Sequence, residues 1–389
     1  MRIGIVTMHL HTNYGGLLQA FALKSVLEGL GHEVEILDMR KKIWFPSPLK
    51  APLIYAKRAL LSLLKKNGPE VFREYRLKRE YPYISSQLMP FVSNELSPRL
   101  IERYEDVKEG EYDAFVVGSD QVWRPMCFEY TREAFLSFTA GWNVVRVSYA
   151  ASFGTAELEY EYQLLEDCSR LLAEFDGVSV REDSGVAMCD EWLDCDRAVH
   201  VLDPVMLLDA DRYRSMALKA QEHPAKGRLA TYILDRTQSK SLLVARMSEL
   251  IGKNVHDLSV YPKDASIPLS ERVVPPIENW IAGFADSDFV VTDSFHGCVM
   301  SILMHKPFVV VGNRLRGLAR IDSLLSMFGL ESRFIGGLDP EDDGTSWLME
   351  IDWKKVDHVL EEQRRLSMGF LCRYLPVETS SDAGEIKEK

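Results

Sequence analysis

No run of about 18 uncharged apolar residues occurs in this sequence, so no helix is expected to cross a bilayer. The opening residues, MRIGIVTMHLHTNYGG, lack the long apolar centre and small-residue cleavage site of a secretory signal. They read as the first β-strand of a domain, and a cytoplasmic location is expected. Cysteine is sparse and unpatterned. The six residues at 127, 168, 189, 195, 298 and 372 include no C-x-x-C pair. That argues against a zinc site or a disulfide framework and suits a reducing compartment. Short-period repeats and low-complexity tracts are missing as well. Positive charge is in deficit: 46 Lys and Arg stand against 58 Asp and Glu, a net −12. A chain this acidic is not a general nucleic-acid binder, and no nucleic-acid partner is expected.

What is present is an ordinary globular composition, 46% hydrophobic and 27% charged, over 389 residues. That length exceeds what one core usually serves, so two domains are expected. The charge is unevenly spread. Residues 40–80 hold twelve Lys or Arg and three Asp or Glu, a net +9, which leaves −21 on the rest. The same segment mixes Trp44, Phe45 and a Leu-rich stretch with its cations, the pattern of an interfacial element. It is a candidate peripheral contact with the inner membrane face or with an acceptor's diphosphate. An ordinary amphipathic helix packed on the first domain is the alternative.

Short apolar runs alternate with helical patterns. RIGIVTM is a strand, Leu17 to Leu30 recur at helical spacing, and EVEILDM is a second strand. Strand-like runs return at DAFVVG, VVRVSYA, DGVSVR and AVHVLD. A second series begins with LATYILD and continues through VHDLSVY, DFVVTD and PFVVV, with helical segments between. This alternation predicts an α/β fold of two doubly wound, mostly parallel domains. The expected boundaries are 1–205, carrying the basic insertion 40–80, and 206–375, followed by a polar tail at 376–389.

Ligands of open parallel sheets bind beyond the carboxyl ends of the strands. The polar residues at those positions are therefore the candidates. Asn13, Gly15 and Gly16 in NYGG start a helix and read either as a cap and tight turn or as a close backbone approach to phosphate or sugar. Ser119 and Asp120 follow DAFVV. Asp120 is either a turn residue or a carboxylate for sugar hydroxyls, with Trp123 as a stacking wall. Arg181 follows GVSV and offers a planar fork for a carboxylate or phosphate. Its alternative role is an ion pair with a nearby carboxylate. Ser294 and His296 lie in TDSFHG, where Asp293 or Ser294 can cap the next helix and Gly297 leaves room beside the backbone. Arg314, Arg316 and Arg320, the last two four apart, form a basic cluster that suits a phosphorylated ligand or a solvated helix face. His9-x-His11 has no third ligand at suggestive spacing, so no metal site is expected.

Taken in order, GIVTMHLHTNYGGLLQAFAL, YDAFVVGSDQVW, SYAASFG, FDGVSVREDSG, VLDP, ENWIAGFADSDFVVTDSFHGCVMSILMHKPFVVV and RGLARIDSLLSMFGL resemble the polysaccharide pyruvyl transferase family. The resemblance implies two Rossmann-like domains facing a cleft, similar to the B-type glycosyltransferase fold, the first on the acceptor side and the second on the donor side. It implies transfer of an enolpyruvyl-derived group from phosphoenolpyruvate to a sugar or lipid-linked glycan, leaving a pyruvate ketal. It implies no metal or organic cofactor. Members of that family often carry Arg-Leu-His-Gly where this chain has Ser294-Phe295-His296-Gly297, so the His matches and the Arg does not. Arg181 matches the family's other anion-binding Arg.

Ketal formation needs a proton at the donor's methylene carbon, a base for a sugar hydroxyl, and cations for the departing phosphate. His296 suits the first task, Asp120 the second, and Arg181, Arg316 or Arg320 the third. Two rivals are a nucleotide-sugar-dependent glycosyltransferase on the same fold and a non-catalytic glycan-binding or assembly protein.

Overall fold

The computed structural model describes residues 1–39, 45–64, 68–312, 317–336 and 344–376. In the first half, β1 (Arg2–Val6), α1 (Tyr14–Gly29) and β2 (Glu33–Met39) form one right-handed unit of the expected kind. The basic insertion follows as α2 (Ala51–Leu64), α3 (Arg73–Ile84) and the single turn α4 (Met89–Phe91). Then come β3 (Arg99–Ile101), β4 (Ala114–Val117), β5 (Val145–Ala151), α5 (Tyr162–Leu172), β6 (Gly177–Val180), α6 (Asp183–Leu193) and β7 (Val199–His200). These seven strands form one sheet in the order β3-β2-β1-β4-β5-β6-β7, with every neighbour parallel.

The second half runs α7 (Ala210–Ala217), β8 (Leu229–Tyr232), α8 (Gln238–Ile251), β9 (Val255–Asp257) and α9 (Ile277–Ala285). It continues through β10 (Phe289–Thr292), α10 (Phe295–Leu303), β11 (Phe308–Val311), α11 (Ala319–Phe328), β12 (Phe334–Ile335) and α12 (Trp353–Tyr374). Its five strands are parallel in the order β12-β11-β10-β8-β9. Strands β4, β6, β8 and β10 are buried at every position. Helices on both faces exclude water from them, which is why they read as unbroken apolar runs.

The strand orders locate the site. In the first sheet the chain reverses direction of winding between β1 and β4, and in the second between β8 and β10. At such a switch point the following loops diverge and open a crevice. The two crevices face each other across a shared apolar core. Leu17 and Leu18 of α1, Val205 and Met206, and Val299 and Met300 of α10 belong to one buried cluster.

One element departs from the expected division. Helix α12 begins on the second half, where Trp353 stacks on His305 at 4.8 Å and Asp357 meets His305 at 2.8 Å. It ends on the first half: Ser367 accepts from the Leu202 amide at 3.0 Å, and the Leu375 carbonyl bonds His32 at 3.2 Å. The C-terminal helix thus straps the two halves together.

Candidate active site

A cavity of about 550 Å³ fills the space between the two crevices. Loops after β1 supply His11 to Tyr14, and the loop after β4 supplies Asp120. Opposite stand Tyr232 and Leu234 after β8, Asp293 to His296 after β10, and Arg320 at the start of α11. A further segment after β9, Val260 to Asp264, completes the wall. Nothing in its sequence marks it beyond a strand end.

Two helix N-termini meet here. Asn13 stands at the start of α1 and Ser294 at the start of α10, where its hydroxyl accepts from the Gly297 amide at 3.4 Å. Both helices therefore point their partial positive charge into the cavity. Their closeness depends on Gly15, since a Cβ there would collide with the His296 imidazole. Gly297 has a different duty from the one expected. A Cβ on it would strike the Thr292 hydroxyl, so the glycine serves packing of α10 on its own strand. Asp293 is not the cap. Its carboxylate accepts from the amides of Leu234 and Asp235 at 2.7 and 3.2 Å and from Lys240 Nζ at 2.6 Å, which fixes the loop after β8.

A buried charged cluster lies beneath His296. Arg181 Nη1 reaches Asp203 Oδ2 at 2.7 Å, and Nη2 reaches Asp120 Oδ1 at 2.9 Å. Its guanidinium also covers the Phe295 ring, 4.5 Å from the centroid. His296 Nε2 sits 3.6 Å from Asp203 Oδ2, and Arg320 Nη1 sits 3.8 Å from Asp120 Oδ1. Burial alone would raise both carboxyls. His296 and Arg181 nevertheless hold Asp203 well below the usual carboxylate range. Arg181, His296 and Arg320 also lower the Asp120 carboxyl. Asp120 Oδ1 thus faces two arginine cations.

The arginines differ. Burial opposes the charge on Arg181, yet Asp120, Asp203 and Glu182 raise its guanidinium above the usual value. It is 3% exposed and its terminal nitrogens are occupied by carboxylates. The alternative reading of Arg181, an ion pair with nearby carboxylates, is the arrangement found. Arg320 lines the cavity, and burial together with neighbouring Arg181 pushes it down to about 10.

Other expected residues fall nearby with altered roles. Ser119 is fully buried and donates to the Ala150 carbonyl at 2.6 Å, while its amide donates to Gln19 Oε1 at 2.7 Å. Gly16 accepts from Gln19 Nε2 at 2.9 Å. Gln19 thus clamps the α1 start to the end of β4, a function no motif announces. Trp123 is no stacking wall: it is fully buried, stacked on Phe135 at 4.7 Å, with Nε1 donating to Ala134. Arg314 and Arg316 lie outside the described residues. Asp203 was legible only as the Asp of VLDP, and its partnership with His296 was not. His9 bonds the Met39 carbonyl through Nδ1 at 2.8 Å and faces Glu129 at 3.3 Å.

A family model described as polysaccharide pyruvyl transferase matches residues 13–314. Among solved structures, the chain is similar to UDP-N-acetylglucosamine 2-epimerase from Rickettsia bellii. They are 10% identical, with a TM-score of 0.51, over 96% of this chain and 99% of that one. A second epimerase, from Neisseria meningitidis and bound to UDP-GlcNAc, gives 10% identity and a TM-score of 0.47 over 96% and 100%. At 10% identity the likeness to the Rickettsia bellii structure speaks for the fold alone: two doubly wound halves about a cleft. No curated protein matches the sequence.

Proposed function

The chain belongs to the polysaccharide pyruvyl transferase family, and from that premise we propose that it moves an enolpyruvyl-derived group from phosphoenolpyruvate to a sugar of a glycan precursor. The product is a pyruvate ketal bridging two hydroxyls, made during polysaccharide biosynthesis, with phosphate released. The observation that carries this reading is the meeting of His296, Arg320 and two helix N-termini in one cavity.

His296 gives a proton to the methylene carbon of the donor. Asp203, 3.6 Å from Nε2, orients the ring and balances the imidazolium. The carbon bearing the phosphate becomes oxocarbenium-like, and a sugar hydroxyl adds to it. Phosphate then leaves and a second hydroxyl closes the ketal. Of the two hydroxyl protons, one replaces the proton now in the methyl group and the other departs on phosphate. Arg320 and the amides at the starts of α1 and α10 hold the anionic donor and stabilise the leaving phosphate. Arg181 braces Asp120 and Asp203, so the cluster stays rigid while charge shifts above it. Asp120 holds Arg320 in turn and borders the acceptor. The absence of the family's usual Arg at Ser294 is offset by Arg320. The scheme uses no metal or organic cofactor.

Incubation with phosphoenolpyruvate and a panel of glycan acceptors tests it, followed by phosphate release and the mass gain of a ketal. Thermal protection separates the rivals: phosphoenolpyruvate stabilises the fold in the proposed reading, and a nucleotide diphosphate sugar does so in the glycosyltransferase reading.

A further inference from the structure

Helix α2 stands almost clear of the body. None of its residues is buried. Its half-buried side holds Ala51, Ile54, Tyr55, Arg58, Ala59 and Leu61, where Arg58 reaches Glu74 at 2.7 Å and the Val71 carbonyl at 3.2 Å, and Tyr55 meets Phe72 at 5.0 Å between ring centroids. A second set of leucines faces out. Leu49 lies just before the helix, and Leu53, Leu60 and Leu64 recur within it at intervals of seven and four residues, which places those three on one stripe. The four are 95%, 77%, 58% and 71% exposed, an unusual state for so many leucines.

The charge around this stripe is sorted. Residues 45–64 contain Lys50, Lys57 and Arg58 and no acidic residue. The nearest carboxylates in α3 are turned inward and paired. Glu74 and Glu80 are each 6% exposed, Glu74 bound by Arg58 and Glu80 by Arg76 and Arg272. Lys50, Lys57, Arg73, Lys78 and Arg79 remain on the surface. An outward field that is cationic therefore surrounds an outward leucine stripe, on a chain that is otherwise strongly acidic.

We propose that α2 is an interfacial anchor that docks this protein on an anionic lipid surface. A single convex helix with leucines outward inserts into the headgroup–acyl boundary, and flanking lysines meet lipid phosphates. This anchor would hold the cleft near acceptors carried on lipid. It stands independently of which donor the active site takes.

The test is flotation of the full chain with two kinds of vesicle, pure phosphatidylcholine and phosphatidylcholine mixed with phosphatidylglycerol, at low and high salt. Salt-sensitive flotation with the mixed vesicles only is expected. The triple change Leu53→Ser, Leu60→Ser and Leu64→Ser should abolish it without altering the circular dichroism or melting temperature, because those side chains contact solvent. Lys50→Glu and Lys57→Glu should each weaken vesicle affinity about fivefold or more. Light scattering of wild type and the triple variant runs in parallel. Absence of flotation overturns the proposal. A leucine-dependent dimer in solution without flotation overturns it too, and assigns the stripe to a second copy of the chain.

Discussion

Arg181 and Arg320 come from opposite walls of one cleft and are buried almost equally, 3% and 7% exposed. Their settings differ. Arg181, from the first sheet, lies between two carboxylates and is raised above its usual value; Arg320, from the second half, lies beside another arginine and is lowered to about 10. The first wall therefore supplies a brace held between two carboxylates, and the second supplies a cation and an imidazole that line the cavity and meet those same carboxylates at 3.8 and 3.6 Å. The same residue type lies in opposite electrostatic settings, depending on how many carboxylates its fold neighbours bring.

The largest effect should come from the second wall. His296→Gln keeps size and hydrogen bonding but cannot shuttle a proton at neutral pH. Turnover should fall by ~10²–10⁴ while thermal protection by the donor persists. Near-normal turnover in the folded variant would place the proton elsewhere.

On the first wall the loss should appear in stability. Arg181→Ala leaves Asp120 and Asp203 buried without their partner, and ~3–5 kcal/mol of unfolding free energy should disappear in denaturant titrations. A variant as stable as wild type but unable to bind donor would reverse the roles of the two walls.

Arg320→Met sharpens the contrast. Its removal should leave the melting temperature unchanged or raised, since a cation disfavoured by burial is lost. Donor affinity should drop roughly tenfold or more, in line with a charged hydrogen bond worth ~1.5–3 kcal/mol. Isothermal titration with phosphoenolpyruvate reads it.

The smallest effect is acid sensitivity. Asp120 and Asp203 have folded-state values below the unfolded ones, so their contribution is complete above the unfolded carboxylate value of about 3.9. It is lost as pH falls through the lower folded values. Asp203→Asn should flatten the stability–pH curve in that acid window relative to wild type, with little change of slope near neutrality.

Much of the architecture was legible in the sequence because buried parallel strands and amphipathic helices have distinct periodicities. EVEILDM became β2 without adjustment, and the polar loops after β1, β4 and β10 were placed at the cleft by strand order alone. The edge strands β3 and β12 escaped notice, being three and two residues long with little apolar pattern. Side-chain direction within the turns was the harder matter. Trp123 follows Asp120 by three residues yet turns into the core, and Gly297 packs on Thr292 instead of opening to a ligand. The partnership of Asp203, Arg181 and His296 joins three separate loops, so no local spacing could reveal it. Arg181 itself was located correctly, but its charge balance depended on neighbours distant in sequence.

The central claim, that His296 protonates the methylene carbon of phosphoenolpyruvate, is tested most directly in deuterium oxide. Wild type is mixed with phosphoenolpyruvate and a panel of glycan acceptors, and the ketal methyl group is examined by mass spectrometry. One deuterium per methyl is predicted for wild type, with formation of that product in His296→Gln slowed at least about a hundredfold. A labelled ketal formed by His296→Gln at the wild-type rate would contradict the account.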